Sequence, residues 1–351
     1  MRVLLMVHNL PEKGKKSGGV PISVSRIAEE LGSRAELDVT VGCISGDQAE
    51  GFAVWRPIKS TWLVRLCANP IGILVLYPVL LNFVKFPKAD VIHFHGEDWF
   101  LFRKKKAIVI RTFHGSSKLE MAHTENLLRK CYLGCAGILE GLSAKLAAGV
   151  LCVGTETQAI FSSDYYIGNG FSKNCFFPAE KQQRPVVFYN GYWAGRKRGQ
   201  FAYSVFIEKV LPEMPDAELW FLSDFCSAHS SVKHFRGVTD ERLGELYRES
   251  WVFLYPSTYE GFGMAYIEAM ASGTAIVASD NAGARDVLLD GKYGVICDDA
   301  ELGREVVRLL RDSRARLRLE MDGLKRSENY TIEKIADDHL AFYQRTLKLC
   351  Q

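Results

Sequence analysis

Short apolar runs recur along the whole chain, and most are followed by a polar or glycine-containing loop and then by a helical pattern. Such an alternation of buried strands with helices predicts an α/β protein built on parallel sheets. In the first half the predicted strands are Arg2–His8, Leu37–Cys43, Phe52–Ile58, Ala89–Gly96, Ala107–Gly115 and Val150–Thr155. In the second half they are Val186–Tyr189, Ala217–Leu222, Trp251–Tyr255 and Ala275–Ser279.

The length of the chain, 351 residues, suits two domains of ordinary size. A charged stretch bounded by Pro178 and Pro185 is the candidate hinge. We therefore predict a first domain over residues 1–178 and a second over residues 179–330. A final amphipathic helix, running to Lys348, accounts for residues 331–351.

One apolar segment, Leu66–Val84, contains no charged side chain. Its length suits a transmembrane helix, but Pro70 and Pro78 would break one, and a span would divide the first sheet between two sides of a bilayer. We favour a helix, or a broken pair of helices, that covers the first sheet. The second alternative is a surface that docks peripherally on a membrane, where Arg103-Lys104-Lys105-Lys106 would pair with anionic headgroups.

The overall charge gives little reason to expect a nucleic-acid partner. The chain has 44 basic and 41 acidic residues, a net charge of +3, which is too mild to suggest nucleic-acid binding. Nine scattered cysteines without a signal-peptide pattern predict reduced thiols in the cytoplasm, with the inner face of the cell membrane as an alternative location. Cys131 and Cys135 share a predicted helix face, and we expect burial there rather than metal binding.

The stretch Pro256–Gly273, PSTYEGFGMAYIEAMASG, carries the densest candidate chemistry. A predicted strand leads into a glycine-bracketed turn and then a helix, which points backbone N–H groups and a helix N-terminus at an anion, most often a phosphate. Glu260 falls in the turn and Glu268 about one turn into the helix. Two carboxylates that flank a phosphate site suit the hydroxyl groups on either side of a diphosphate, as in a sugar nucleotide.

Further candidates follow other predicted strands. His95 and His114 each precede a glycine at a strand end, and ligands of open α/β sheets bind at that edge. Gly18 and Gly19 follow the first strand, where they would let the backbone approach a ligand. Arg196-Lys197-Arg198, between two glycines, form a candidate clamp for a diphosphate, the alternative being a basic surface turn.

The pattern PSxxEGFGxxxxEAMAxG closely resembles the E-x7-E signature of the retaining glycosyltransferases of family four, which have the GT-B fold. The resemblance implies two Rossmann-like doubly wound domains that face each other across a cleft, with the C-terminal helix returning to the first domain. It spans nearly the whole chain, strongly in the second half and moderately in the first.

The resemblance also assigns roles to residues. It implies that Glu260 contacts the donor sugar and Glu268 the ribose, and that the amides of Gly261, Phe262, Gly263 and Met264 hold the diphosphate and the sugar. His114, in a threonine-phenylalanine-histidine-glycine motif, would face the reacting sugar, and the Gly18-Gly19 loop would line the cleft. Tyr192 stands where the family has an arginine, so the cationic turn must supply that contact or donor binding is weakened.

The predicted reaction is transfer of a sugar, with retention, from a nucleoside-diphosphate sugar to a hydroxyl acceptor in glycan, polysaccharide or glycolipid synthesis. No Asp-x-Asp triplet occurs in the chain, and we expect neither a metal nor another cofactor. The apolar segment favours a lipid-linked acceptor. Two alternatives remain open: a catalytically silent scaffold or subunit of a transferase complex, and a sugar-nucleotide 2-epimerase.

Overall fold

The computed structural model describes residues 1–12, 18–46, 51–101, 106–163 and 165–350, and it divides into two compact units. The first unit consists of Met1–Gly170 together with Ile332–Gln351, and the second is the continuous segment Phe171–Thr331. Each unit is built around one six-stranded parallel sheet. The chain is therefore an α/β protein, as its alternating pattern predicts.

The first unit begins with β1 (Arg2–Met6) and follows a regular alternation of strand and helix. Its further elements are α1 (Gly19–Gly32), β2 (Asp38–Gly42), β3 (Ala53–Trp55), α2 (Thr61–Cys67), a π-helical turn (Gly72–Leu76), α3 (Tyr77–Leu80), β4 (Val91–Phe94), β5 (Ile108–Phe113), α4 (Ser117–Ala122), α5 (Leu127–Leu146), β6 (Gly149–Cys152), α6 (Thr155–Phe161) and, from the end of the chain, α13 (Ile332–Leu349).

The first sheet has the strand order β3-β2-β1-β4-β5-β6, and both of its faces are covered. Side chains alternate between the faces along β1, so that Val3 and Leu5 join the core beneath α1 and α13, while Leu4 and Met6 join the core beneath α2 and α3. Helix α5 connects β5 to β6 in the direction opposite to the connection from β1 to β2. Right-handed crossovers therefore place α5 on the same face as α2 and α3.

The second unit repeats this architecture between β7 (Val186–Asn190) and a final 3₁₀ turn (Glu328–Tyr330). Its other elements are α7 (Gly199–Val205), a π-helical turn (Phe206–Val210), β8 (Glu218–Leu222), β9 (Val232–Phe235), α8 (Asp240–Glu249), β10 (Val252–Tyr255), α9 (Met264–Ala271), β11 (Ala275–Ser279), α10 (Ala282–Leu288), β12 (Val295–Cys297), α11 (Leu302–Arg311) and α12 (Ser313–Ser327). The strand order is β12-β11-β10-β7-β8-β9.

The boundaries between the units differ slightly from the predicted ones. The first lies at 170/171 rather than 178/179, because the segment after Gly170 packs within the second unit: Phe176 is buried, and the Cys175 carbonyl accepts a hydrogen bond from Arg248. The second lies at 331/332 rather than 330/331. Helix α13 belongs to the first unit, where Ile335, Ala336 and Tyr343 are part of the core.

The apolar segment forms the broken pair of helices that the sequence favours. Helix α2 and the helical stretch Gly72–Leu80 meet at 103°. No single helix in the described ranges has the length and apolar character to cross a membrane, although the bent pair passes that test when its two parts are taken together. Cys67, Tyr77 and Leu81 of this segment are buried against the first sheet. Of the basic run 103–106, only Lys106 is described, and it is exposed.

Two sequence-based expectations are wrong. Cys131 and Cys135 lie on the exposed face of α5 rather than in the core, because Leu133 and Ala136 form the buried face of that helix. The predicted set of strands is also incomplete, because it lacks β9 and β12, the two edge strands of the second sheet. Edge strand β12 has only 3 residues, too few for an alternating pattern to stand out.

Candidate active site

The second unit holds most of the predicted site residues in loops at the carboxyl edge of its sheet. Strand β10 ends at Tyr255, and the loop that follows carries Glu260 into the start of α9. Gly263 precedes the helix with φ of +94°, a left-handed conformation that favours glycine. The first turn of α9 therefore presents N–H groups that have no partner inside the helix, together with the positive end of its dipole.

Glu260 is buried and lies between two cations. Its Oε1 accepts a hydrogen bond from Lys197 Nζ at 2.5 Å and lies 2.9 Å from Arg196 Nη1. Burial alone would raise the pKa of Glu260, but the charges of Lys197 and Arg196 lower it to about 2. The carboxylate is therefore ionised across the physiological pH range.

Groups that the sequence analysis did not single out fix this loop. The Ser257 hydroxyl donates to Glu260 Oε1 at 2.6 Å. The buried side chain of Asn281 donates to the Ser257 carbonyl at 3.1 Å and to the Tyr266 hydroxyl at 3.0 Å. A Cβ added to Gly283 would lie 2.7 Å from Glu260 Cβ, so the α10 backbone approaches the loop as only glycine allows.

Lys197, Arg196 and Arg198 do not play equivalent parts. Lys197 also donates to the Tyr255 hydroxyl, and Arg196 donates to the Tyr259 carbonyl at 2.5 Å. Arg198, with φ of +52°, is instead engaged by protein groups on all three guanidinium nitrogens. The structure therefore favours Lys197 and Arg196 over Arg198 as ligands of a diphosphate.

The Arg198 guanidinium joins the ends of three strands. Its Nε donates to the Pro256 carbonyl at 2.6 Å and its Nη2 to Ser279 Oγ at 2.8 Å. Its two Nη atoms donate to both carboxylate oxygens of Asp299 at 2.5 and 2.6 Å. These contacts tie the turn before α7 to the end of β11 and to the segments that follow β10 and β12.

The remaining predicted residues of the second unit surround the start of α9. Glu268 is buried in the second turn of that helix, eight positions after Glu260. Phe262 is buried against the Tyr330 ring, with centroids 5.6 Å apart, while Gly261 and Met264 are partly exposed. Tyr192, at the position of the missing arginine, has an exposed side chain, and its carbonyl accepts from the Tyr189 hydroxyl at 2.9 Å.

His114, in the first unit, belongs to a network of four buried or partly buried histidines. His95 Nδ1 and His114 Nε2 lie 2.8 Å apart, so one ring donates the proton that the other accepts. His93 contacts the Tyr343 hydroxyl at 2.7 Å and Thr112 Oγ1 at 2.6 Å, and its ring lies 5.7 Å from that of His339. Burial lowers the pKa of all four, to about 3 for His114 and about 4 for His339.

Gly18 and Gly19 lie at the N-terminus of α1 in the same unit. Gly18 is the residue before the helix and has an extended backbone, and Gly19 is its first residue. One turn further, Ser23 donates to the buried side chain of Asn169 at 2.6 Å, and Asn169 also hydrogen-bonds His114. The structure thus links the start of α1 to the histidine network within one unit.

These contacts define what the arrangement can do chemically. In the second unit, two cationic side chains and a helix N-terminus can bind an anion, and two buried carboxylates can accept hydrogen bonds from hydroxyl groups. Within the described ranges, no group of three or more His, Cys, Asp or Glu side chains is placed to hold a metal ion. Such a site can bind a polyhydroxylated molecule that carries a diphosphate.

Comparison with known proteins shows which class of protein the chain resembles. Residues 217–326 match the family model described as glycosyl transferases group 1. The chain is 25% identical over 311 residues to a phosphatidyl-myo-inositol mannosyltransferase of Mycobacterium tuberculosis, covering 79% of this chain and 78% of the relative. It is 30% identical over 123 residues to an N,N'-diacetylbacillosaminyl-diphospho-undecaprenol α-1,3-N-acetylgalactosaminyltransferase of Campylobacter jejuni, covering 34% and 32%.

The fold matches solved structures over the whole chain. A sucrose-phosphate synthase from Thermosynechococcus elongatus has a TM-score of 0.78 with 17% identity, covering 99% of both chains. The sheets, the flanking helices and these similarities define a glycosyltransferase with the two-domain GT-B fold. Residues 217–326, in the second unit, together with the names of the curated relatives, support a glycosyltransferase of the group 1 type.

The first prediction concerns the hydrogen bonds that Arg198 makes to three strand ends. Arg198→Ala removes four hydrogen bonds, and because Asp299 is half exposed we expect a loss of about 1–2 kcal/mol in the free energy of unfolding. Urea denaturation measures this loss. Arg285→Ala breaks a two-pronged pair with Asp280 that is more exposed, and it should change stability by only about 0.5 kcal/mol. Equal losses of stability in the two variants would contradict the structural role of the Arg198 hydrogen bonds.

The second prediction concerns pH. The folded state holds the pKa of His339 at about 4, below the ordinary 6.5, so unfolding takes up a proton below pH 6.5. Stability is therefore complete above pH 6.5 and falls as the pH drops towards 4. At pH 5.5 the cost is about 1.4 kcal/mol per histidine of this kind. The free energy of unfolding, measured with urea, should be lower at pH 5.5 than at pH 7.5. His339→Gln should reduce this difference by that amount, whereas His123→Gln, at an exposed site, should leave it unchanged.

Proposed function

We propose that this glycosyltransferase transfers a sugar, with retention at the anomeric carbon, from a nucleoside-diphosphate sugar bound by its second unit to a hydroxyl acceptor. The observation that carries the proposal is the ionised Glu260 beside Lys197, Arg196 and the N-terminus of α9. The departing nucleoside diphosphate gains negative charge as the bond to the sugar breaks. Lys197, Arg196 and the amides of the α9 turn would stabilise that charge, and the proposal requires no divalent ion.

In the protein alone, the two cations are compensated by Glu260. A bound diphosphate would take over part of that role and leave Glu260 oxygens to accept hydroxyl groups of the donor sugar. We propose that Glu268 accepts the ribose hydroxyls, because its carboxylate lies on the helix whose first turn would hold the diphosphate. His114 is our candidate contact to the reacting sugar on the first unit.

We further propose that the acceptor is lipid-linked and that the product serves glycolipid or polysaccharide synthesis. The names of the Mycobacterium and Campylobacter relatives specify a phosphatidylinositol and a diphospho-undecaprenol acceptor, which supports this choice. The mannosyl transfer in the name of the first relative makes a mannose nucleotide the first donor to test.

A surface of the first unit supports contact with an anionic membrane. Ile71 and Phe83 are 75% and 80% exposed, and Trp62, Leu66 and Val75 of the bent helix pair are exposed as well. From Phe52 to Ala89 the chain carries five cations and no acidic residue. We propose that this surface, which we name the apolar–basic face, inserts its large side chains among anionic headgroups.

Helix α5 extends the apolar–basic face. Its exposed side includes Leu128, Ile138, Leu142 and Leu146. Ser143 of α5 donates to Asp98, and the neighbouring Trp99 donates to the Leu74 carbonyl, so α5 and the bent pair are linked on one face of the sheet. Arg129, Lys130 and Lys145 lie at the two ends of the exposed stripe. Basic charge at both ends suits an anionic surface better than a second copy of the same helix, whose like charges would meet.

The third prediction tests the donor site by thermal unfolding against UDP-, GDP-, ADP- and dTDP-sugars. A donor at a hundred times its dissociation constant stabilises the protein by about 2.7 kcal/mol. Lys197→Ala should weaken binding about 10- to 100-fold, because it removes a charge-assisted contact to the diphosphate. Glu268→Gln should weaken it as well, and Lys292→Ala, at an exposed site, should not. The anomeric proton signal of the product, observed by NMR, then reports retention or inversion.

If no nucleotide sugar stabilises the wild-type protein, the donor-site proposal fails and a catalytically silent scaffold becomes the better interpretation. Tyr192 would then be the first residue to replace by arginine, since a gain of donor binding in Tyr192→Arg would show what the cationic turn lacks.

The fourth prediction tests the apolar–basic face by sedimentation with vesicles. The protein should bind vesicles that contain phosphatidylglycerol, bind pure phosphatidylcholine weakly, and lose binding as salt screens the cations. Ile71→Ser and Phe83→Ser should each reduce binding, whereas Leu317→Ser, at an exposed position of the second unit, should not. Self-association without vesicles, abolished by the same two variants, would instead assign the face to a second copy of the chain.

A further inference from the structure

The two sheets share one feature that points to a second binding site. In each sheet the chain starts at a central strand and adds the next two strands on one side of it. The chain then returns and adds the remaining strands on the other side. The strand order therefore reverses between β1 and β4 in the first sheet and between β7 and β10 in the second. Open α/β sheets bind ligands in the crevice at this reversal, outside the carboxyl ends of the two strands. In the second unit, Lys197 follows β7 and Glu260 follows β10, so the candidate donor site lies at that reversal.

The corresponding place in the first unit is flanked by His8, which follows β1, and by Glu97, which follows β4. The β1 and β4 strands are paired up to Met6 and Phe94, and the His95 amide donates to the Met6 carbonyl at 2.9 Å. Tyr77, the first residue of α3, contacts His8 edge to face with ring centroids 5.2 Å apart. None of these three residues has a part in the proposed donor site.

Glu97 has an unusual backbone for its residue type. Its φ is +56°, in the left-handed region that residues other than glycine rarely adopt. Such conformations cost free energy and cluster at functional sites, where the surrounding structure holds them in place. Among the described residues, no hydrogen bond or ion pair engages the carboxyl group of Glu97, which is only partly buried.

Tyr77, which feels the charge of Glu97, and His8, which contacts the Tyr77 ring, also have side-chain polar atoms that lack partners among the described residues. Within the described part of the chain, the buried Tyr77 hydroxyl has no hydrogen-bond partner, and neither do the two ring nitrogens of His8. Buried polar atoms of this kind are nearly always satisfied in native proteins, by protein groups, by ordered water or by a ligand. A carboxylate, a phenol and a neutral imidazole together accept and donate hydrogen bonds to hydroxyl groups. A phosphate would be a poor ligand here, because Glu97 and Asp98 would repel it.

We propose that Glu97 binds the hydroxyl groups of a sugar or cyclitol acceptor at the reversal of the first sheet, assisted by Tyr77 and His8. This inference rests on the proposed function and assigns its acceptor side to residues that neither the motif nor the histidine-glycine strand ends single out. Glu97 acts by orienting the acceptor, and Glu97 removes no proton in the transfer step.

The ionisation of Glu97 gives the acceptor site a pH dependence of its own. Burial raises the pKa of Glu97 to about 7. The positive charge of Arg111 lowers this pKa, and the negative charge of Asp98 raises it further. Tyr77 and Tyr132 face the same carboxyl group from α3 and α5, and burial raises the pKa of both, so they remain neutral. The ionised carboxylate is the stronger hydrogen-bond acceptor, so acceptor affinity should rise between pH 6 and pH 8.

The test uses octyl α-D-mannopyranoside and myo-inositol as probes of binding to the full chain, followed by saturation-transfer NMR and calorimetry. We expect Glu97→Gln, which keeps the backbone and size of the side chain, to lower probe affinity about tenfold at pH 8 and to abolish the pH dependence. Tyr77→Phe should lower affinity by a smaller factor. Glu156→Gln, at an exposed carboxylate of α6 in the same unit, is the matched control and should bind as the wild type does.

Donor binding separates this inference from the proposed function. Glu97→Gln should keep the thermal shift that a nucleotide sugar gives to the wild type, which also shows that the variant is folded. Equal probe affinities in wild type and Glu97→Gln, or no binding of either probe to the wild type, would overturn the assignment of the acceptor site even when the donor shift is present. If no nucleotide sugar gives a thermal shift in the wild-type protein, the proposed function itself is overturned.

Discussion

The second unit is organised around one electrostatic constraint, a buried carboxylate that must be compensated. Glu260 is removed from water and remains ionised because Lys197 and Arg196 lie against it and the Ser257 hydroxyl donates to it. Each partner is held in turn, Lys197 by Tyr255 and Arg196 by the Tyr259 carbonyl. The loop after β10 and the turn before α7 are thereby fixed to each other before any ligand arrives. A site for a charged ligand gains from such order, because its donors need not be reoriented during the reaction.

The same constraint explains why three consecutive cations have different roles. Backbone geometry at Arg198, with φ of +52°, turns its side chain towards Asp299 and Ser279, while Lys197 and Arg196 face Glu260. Arg198, whose guanidinium nitrogens are all hydrogen-bonded, positions the turn. Lys197 and Arg196 share the Glu260 carboxylate and can exchange it for a ligand. The sequence Arg-Lys-Arg contains no sign of this division, since it depends on one dihedral angle and on residues about 60 to 100 positions away.

Much of the fold could be predicted from the sequence because the inner strands are long apolar runs separated by loops. The edge strands β9 and β12 were missed, since strands of 4 and 3 residues carry little pattern. Locally encoded features of the candidate site, such as the glycine before α9 and the position of Glu268 in that helix, were accessible from spacing. Asn281 and Asp299 were not, because their contacts with the loops around Glu260 and Arg198 arise only when several strand ends meet. Cys131 and Cys135 were misplaced because a shared helix face does not reveal whether that face meets the sheet or the solvent.

The path of the chain between the two units has a consequence for biosynthesis. The second unit is a continuous insertion into the first, entered at Phe171 and left at Thr331, two residues that are themselves paired by a parallel bridge. Helix α13 leaves the ribosome after the whole insertion, yet it supplies Ile335, Phe342 and Tyr343 to the first core. The first unit must therefore wait with part of its core uncovered until residues 332–349 have been translated, whereas the inserted unit can fold as soon as it emerges.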